Sequence, residues 1–153
     1  MLLVIDVGNT HITLGVFDGE ELKATFRATA KQPRTSDEYG IQLCDLLVHR
    51  GFQVSDVKDV IISSVVPDVM HSLGSAIIKY FHVTPFVPST LDMGLKINTE
   101  HPKEIGPDRI VDAVAAYEKY GGPVIVVDFG TATTYDIVSK DGVFEGGVIS
   151  PGI

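Results

Sequence analysis

The sequence predicts an α/β protein in which a β-hairpin unit occurs twice. Three observations lead there. The run Val124-Ile125-Val126-Val127-Asp128-Phe129-Gly130 echoes Leu2-Leu3-Val4-Ile5-Asp6-Val7-Gly8. Each run closes in Asp-x-Gly, passes through hydroxyl residues into a second apolar run, and reaches an Asp-Gly turn at Asp18-Gly19 or Asp141-Gly142. Between the two units lie stretches with helical start and stop signals. The duplication sets an expected boundary near residues 120–123, with a first domain over 1–120 and the first three strands of a second over 121–153.

The elements follow in order. Leu2 to Ile5 is an apolar strand, Gly8-Asn9-Thr10 a turn, Ile12 to Phe17 a β-branched strand, and Leu22 to Arg27 a third strand. Thr35-x-x-Glu38 is a capping box that opens a helix over Ser36 to Arg50, stopped near Gly51. A buried strand is predicted over Val60 to Val66, a helix over Asp68 to Phe81 and a short strand over Val83 to Val87. The polar stretch Leu91 to Lys103 reads as loop. Pro107 suits the first position of a helix whose apolar stripe is Ile110, Val111, Val114 and Tyr117, and Gly121-Gly122 ends it. The second unit then runs to Val143–Ile149, its third strand. No helix follows to cover that sheet, so the chain reads as a fragment.

Composition narrows the functions. Twelve Lys and Arg against 20 Asp and Glu leave a formal charge of -8, which repels nucleic acid and anionic membranes. An acidic protein that binds phosphate needs a metal ion or backbone N–H groups to bring the anion close. The single cysteine, Cys44, excludes an internal disulfide and fits a reducing cytoplasm. It sits among leucines as a small apolar residue. No P-loop, His-Glu-x-x-His or paired-cysteine motif is present.

Four motifs remain. In Asp6-Val7-Gly8-Asn9-Thr10 a carboxylate ends a buried strand before a Gly turn. It reads either as an ordinary hairpin or as a phosphate loop, with Asp6 holding Mg²⁺ directly or through water. Asp128-Phe129-Gly130-Thr131-Ala132-Thr133-Thr134 repeats the arrangement, and two such turns facing each other would clamp one polyphosphate. Gly106-Pro107-Asp108-Arg109 sets an acid in the first turn of a helix, where the dipole favours it. Asp108 there could orient an alcohol and accept its proton, since phosphoryl transfer needs positioning more than strong deprotonation. Arg109 could clamp an anionic substrate or pair with a structural carboxylate. In Gly146-Gly147-Val148-Ile149-Ser150-Pro151-Gly152, adjacent glycines let the backbone lie against a ligand or another chain.

These motifs, Gly146-Gly147-x-x-x-Pro151-Gly152 included, stand in the order and spacing of the type III pantothenate kinases, and the whole chain resembles that family. The resemblance implies two duplicated ribonuclease-H-like domains of the actin-like ATPase class, the second incomplete here. It implies an ATP-dependent kinase that makes 4'-phosphopantothenate in the cytoplasm, as a homodimer, with Mg²⁺ and a monovalent cation, K⁺ or NH₄⁺. Carried over residue by residue, Asp6, Val7, Gly8, Asn9, Thr10, His11, Ile12 and Thr13 would meet ATP phosphates, and Thr131 would contact ATP. Gly106, Pro107, Asp108 and Arg109 would bind pantothenate, Asp108 as proton acceptor, and Asp128 would hold the monovalent cation. The family's second substrate contact, often Tyr, falls near Thr99, which is not aromatic. A non-catalytic, nucleotide-responsive regulator on the same fold is the rival reading. An actin-like polymer former is a more distant one.

Overall fold

The computed structural model describes residues 1–90 and 93–152; Leu91, at the head of the expected loop, Asp92 and Ile153 lie outside the described residues. The chain forms two compact units, Met1–Val87 and Pro88–Ile153.

In the first unit, strands β1 (Leu2–Val7), β2 (His11–Asp18) and β3 (Glu21–Thr29) form an antiparallel meander. Strand β4 (Asp59–Ser64) lies parallel to β1, giving the order β3-β2-β1-β4. Alternation decides which face is buried. Leu3, Ile5, Val7, Ile12, Leu14 and Val16 point one way and form the core with Val60 and Ile62. Helices α1 (Ser36–His49) and α2 (Pro67–Ala76) cover that face with Tyr39, Leu43, Leu47, Val69 and Leu73. The expected capping box starts α1: Glu38 N–H donates to Thr35 Oγ1 at 3.3 Å, and Thr35 N–H donates to the Glu38 carboxylate at 2.7 Å.

Two expectations need correction here. The second helix is α-helical only to Ala76 and continues as a π-helical turn over Ile77–Phe81, closed by His82 in the left-handed region. The strand expected over Val83–Val87 is a single parallel bridge between Ile61 and Phe86. Pro85 has no N–H to give to a ladder, which limits pairing there.

In the second unit, helix α3 (Pro107–Tyr120) precedes β6 (Val124–Phe129), β7 (Ala132–Val138) and β8 (Val143–Pro151), an antiparallel meander. The stretch expected as loop contributes a two-residue strand, β5 (Lys96–Ile97), parallel to β8, and a 3₁₀ turn over Pro102–Glu104. The sheet order is β5-β8-β7-β6.

The expectation that no helix covers this sheet is corrected as well. Ile110 and Ala113 of α3 pack on Val138 and Phe144, with Val114, Tyr117 and Val124 around them. Packing therefore divides the chain at Val87/Pro88, because α3 buries its stripe on the strands that follow it. The boundary read near 120–123 marks where the repeated hairpin begins, which is a different quantity. Among the described residues no helix is long and apolar enough to cross a membrane.

Candidate functional site

The two Asp-x-Gly turns are built alike. Asp6 lies opposite Thr13 across the β1–β2 ladder, and Asp128 lies opposite Thr134 across β6–β7. Directly opposed residues share a face, so each hairpin sets a carboxylate beside a hydroxyl near its turn. Asp6 and Asp128 are both exposed at the ends of their strands. The first turn has three residues, Gly8 to Thr10, and Gly8 N–H donates to His11 O at 2.9 Å. The second has two, Gly130 and Thr131, and Gly130 N–H donates to Ala132 O at 3.0 Å. Neither Gly8 nor Gly130 is among the glycines at positive φ. Their missing side chains keep the approach to each turn open and are not demanded by backbone conformation.

Of the residues assigned to ATP phosphates, Asn9, His11 and Thr13 are exposed, and Gly8 and Thr10 are half-buried. Val7 and Ile12 bury their side chains in the core, so only their backbone faces outward. Thr131 is exposed, and Thr133 beside it is buried.

The Gly106 to Arg109 segment occupies the start of α3. Gly106 has no side chain to cap the helix, and Pro107 is its first residue. Asp108, the second residue of the helix, accepts from the next N–H: Arg109 N–H donates to Asp108 Oδ1 at 2.8 Å. The Arg109 guanidinium turns onto the sheet and meets Asp136 of β7. Nε–H donates to Asp136 Oδ1 at 2.9 Å and to Oδ2 at 3.2 Å, and Nη2–H donates to Oδ1. Asp136 is only 1% exposed. Arg109 is thus paired with a structural carboxylate, one of the two roles left open for it.

Register ties this pair to the second turn. Val126 lies opposite Asp136, and Asp128 lies opposite Thr134, so Asp128, Thr134 and Asp136 share one face of the sheet. That is the face α3 covers, through Val138. The Gly106–Arg109 segment and the second carboxylate–hydroxyl pair therefore belong to one surface of one unit.

The glycine-rich strand shapes this surface. Gly147 lies opposite Asp136, and a Cβ there would come within 2.6 Å of Arg109 Nη2. Gly152 lies against the second turn; its N–H donates to Thr131 O at 3.2 Å, and a Cβ would collide with Gly130 O and Thr131 O. These two glycines are needed for close approach within the protein, to Arg109 and to the turn. Sequence reading missed Asp136, and the signal was an acid at the alternation position shared with Thr134 and Val138.

Thr99, at the place of the family's further substrate contact, holds its Oγ1 buried with no hydrogen-bond partner. Cys44 is half-buried, and burial pushes its thiol pKa up, which suits an inert thiol. Among the described residues no group of three His, Cys, Asp or Glu side chains gathers as a metal site.

Comparison with known proteins supplies the identity. The fold is similar to that of a protein assigned as a 2-dehydro-3-deoxygalactonokinase from Sinorhizobium meliloti (TM-score 0.58, 13% identity, 97% of this chain and 53% of that one). It is also similar to the ethanolamine utilization protein EutJ from Carboxydothermus hydrogenoformans (TM-score 0.52, 17% identity, 98% and 51%). These likenesses speak for the ribonuclease-H-like α/β fold. In sequence, the chain is 58% identical over 154 residues to a type III pantothenate kinase of Agathobacter rectalis. The match takes in 100% of this chain and 59% of that relative, so the chain spans about three-fifths of its length. A family model described as type III pantothenate kinase matches residues 2–153. On this agreement of motifs, fold and sequence, the chain belongs to the type III pantothenate kinase family.

Proposed function

We propose that the whole protein transfers the γ-phosphoryl group of ATP to the primary hydroxyl of pantothenate, yielding 4'-phosphopantothenate, the first step toward coenzyme A. The observation that carries this reading is the start of α3. Asp108 stands in its first turn with Oδ1 held by Arg109 N–H, on the sheet face that also bears Asp128 and Thr134. With Oδ1 held, Oδ2 is the oxygen that takes the proton of the attacking alcohol. Nε–H and Nη2–H of Arg109 go to Asp136, and Nη1–H is left to meet the polar groups of pantothenate alongside the backbone of Gly106 and Pro107. A loose phosphoryl-transfer transition state asks for this kind of placement more than for a strong base.

The first turn with its flanking strand ends, Asp6 to Thr13, contacts the ATP phosphates, and Thr131 contacts ATP. The exposed Asp6 carboxylate fits Mg²⁺, a hard cation that takes most of its other oxygens from phosphate and water. Bound there, Mg²⁺ supplies neutralisation of phosphate charge. Asp128, with the Thr134 hydroxyl opposite it, would offer oxygens to the K⁺ or NH₄⁺ that the family resemblance implies. The family resemblance further supports a cytoplasmic homodimer and repeat domains meeting near residues 120–121.

The test is pantothenate-dependent ADP release by the whole protein with Mg²⁺, with and without K⁺. Release that requires pantothenate and rises with K⁺ is expected. ATP turnover indifferent to pantothenate would overturn the reading in favour of a regulatory protein.

A further inference from the structure

We infer that Asp136 is a positioning residue for phosphoryl transfer, acting through Arg109 to hold Asp108; this rests on the kinase activity proposed above. Helix α1 is fixed by its own side chains, through the reciprocal Thr35–Glu38 capping box. Helix α3 has no such device: Gly106 makes no side-chain cap, and Pro107 has no N–H. Its first turn is tied to the sheet by Ile110, packed with Val138 and Phe144, and by one polar contact, Arg109 gripped by Asp136 through both Nε and Nη2.

A fork held at two nitrogens has its plane set as well as its place, which one contact to a lysine would not achieve. The residue so fixed is the one whose backbone N–H holds Asp108 Oδ1 at 2.8 Å. The linkage therefore runs from a buried strand position to the Asp108 carboxylate through one residue.

Stability alone gives a weak reason for this pair. Replacing a buried ion pair by apolar residues of similar volume is often neutral or stabilising. Yet the surroundings are shaped to keep it. Asp136 occupies a position between Thr134 and Val138 on a buried face, where an aliphatic residue would pack without a partner. Gly147, opposite it, has no side chain: a Cβ there would collide first with the backbone oxygen of Tyr135, and would also press on Asp136 Oδ1, at 2.5 Å, and Arg109 Nη2, at 2.6 Å, so β8 passes close over the pair. The guanidinium orientation is thus set by Asp136, in a space that the bare backbone of Gly147 leaves open.

The experiment uses the whole protein and steady-state kinetics for both substrates, with thermal unfolding recorded for each variant. Asp136→Asn retains volume and one acceptor oxygen but loses the two-oxygen grip. It is expected to lower kcat on the order of 10²-fold, the scale of a small misplacement of reacting groups, and to raise KM for pantothenate while KM for ATP holds. Arg109→Lys is expected to show the same pattern. The double variant is expected to be no worse than the poorer single, because both break one linkage.

A folded Asp136→Asn protein with parental kcat overturns the inference, as do single losses that multiply in the double variant. Should Asp136→Asn fail to fold, Arg109→Lys decides: parental kcat there overturns it. A parent protein with no pantothenate-dependent turnover overturns the proposed function and this inference together, and is recognised before any variant is made.

Discussion

The two hairpin units share turn chemistry and differ in what covers them. Leu3, Ile5 and Val7 of β1 are 1%, 0% and 0% exposed beneath α1 and α2. At the equivalent register positions of β6, Ile125, Val127 and Phe129 are 65%, 40% and 70% exposed. The apolar alternation is the same, and the second sheet is covered by α3 on its other face, the one with Asp128 and Asp136. A repeated strand pattern thus fixes where a side chain points but not which face receives a helix. That is decided by the elements flanking the hairpin: two helices follow the first along the chain, and one helix precedes the second.

The largest effect that would break this comparison is in the cores. Leu3→Ala is expected to destabilise the chain by about 2–5 kcal/mol, the range for buried leucines, whereas Ile125→Ala changes stability by no more than about 0.5 kcal/mol. Urea unfolding of both variants measures it, and equal losses would mean that the second face is covered in solution. Next come the turns. Asp6→Asn in the whole protein is expected to cost on the order of 10²-fold in turnover, as removal of one transition-state stabiliser does. Asp128→Asn should instead abolish the response to K⁺ at a smaller loss of rate. Identical kinetic behaviour of the two variants would erase the distinction in role between the turns.

The smallest effect concerns the cover of the first sheet. The Thr35 backbone and hydroxyl bonds hold the Glu38 carboxyl below its ordinary value of 4.5. A carboxyl depressed on folding stabilises fully above that value, and the contribution fades as pH falls through the folded-state pKa. Thermal midpoints should therefore drop on acidification below about pH 4.5, and less steeply in Glu38→Gln. Equal slopes would remove the capping box as the cause.

Much of this was legible because it is local. The capping box, the Pro107 start, the Gly121 stop and the period-2 runs each act within a few residues, and the helices and hairpins stand where those signals put them. What escaped was relational. Nothing in α3 itself says which sheet its stripe will meet. Lys96–Ile97 is too short to show alternation and is a strand only because β8 is beside it. Pro85 and Phe86 looked like strand from apolar content, yet one lacks a donor and the other is 64% exposed. The Asp6 motif of the first unit and the Asp108 and Asp128 motifs of the second could each be singled out from the sequence directly. Asp136 showed only as an acid at a buried alternation position, and the partner that explains it lies 27 positions away.

The contact between Gly152 and Thr131 has a consequence for watching the protein at work. The Gly152 amide proton is held by the backbone of the very turn that carries the second hydroxyl cluster. Its exchange with deuterium is thereby a built-in clock for that turn: slow while the loop keeps its shape, fast whenever it opens. A single amide, followed by NMR as nucleotide is added, reads out the loop's opening equilibrium without any label placed near the chemistry.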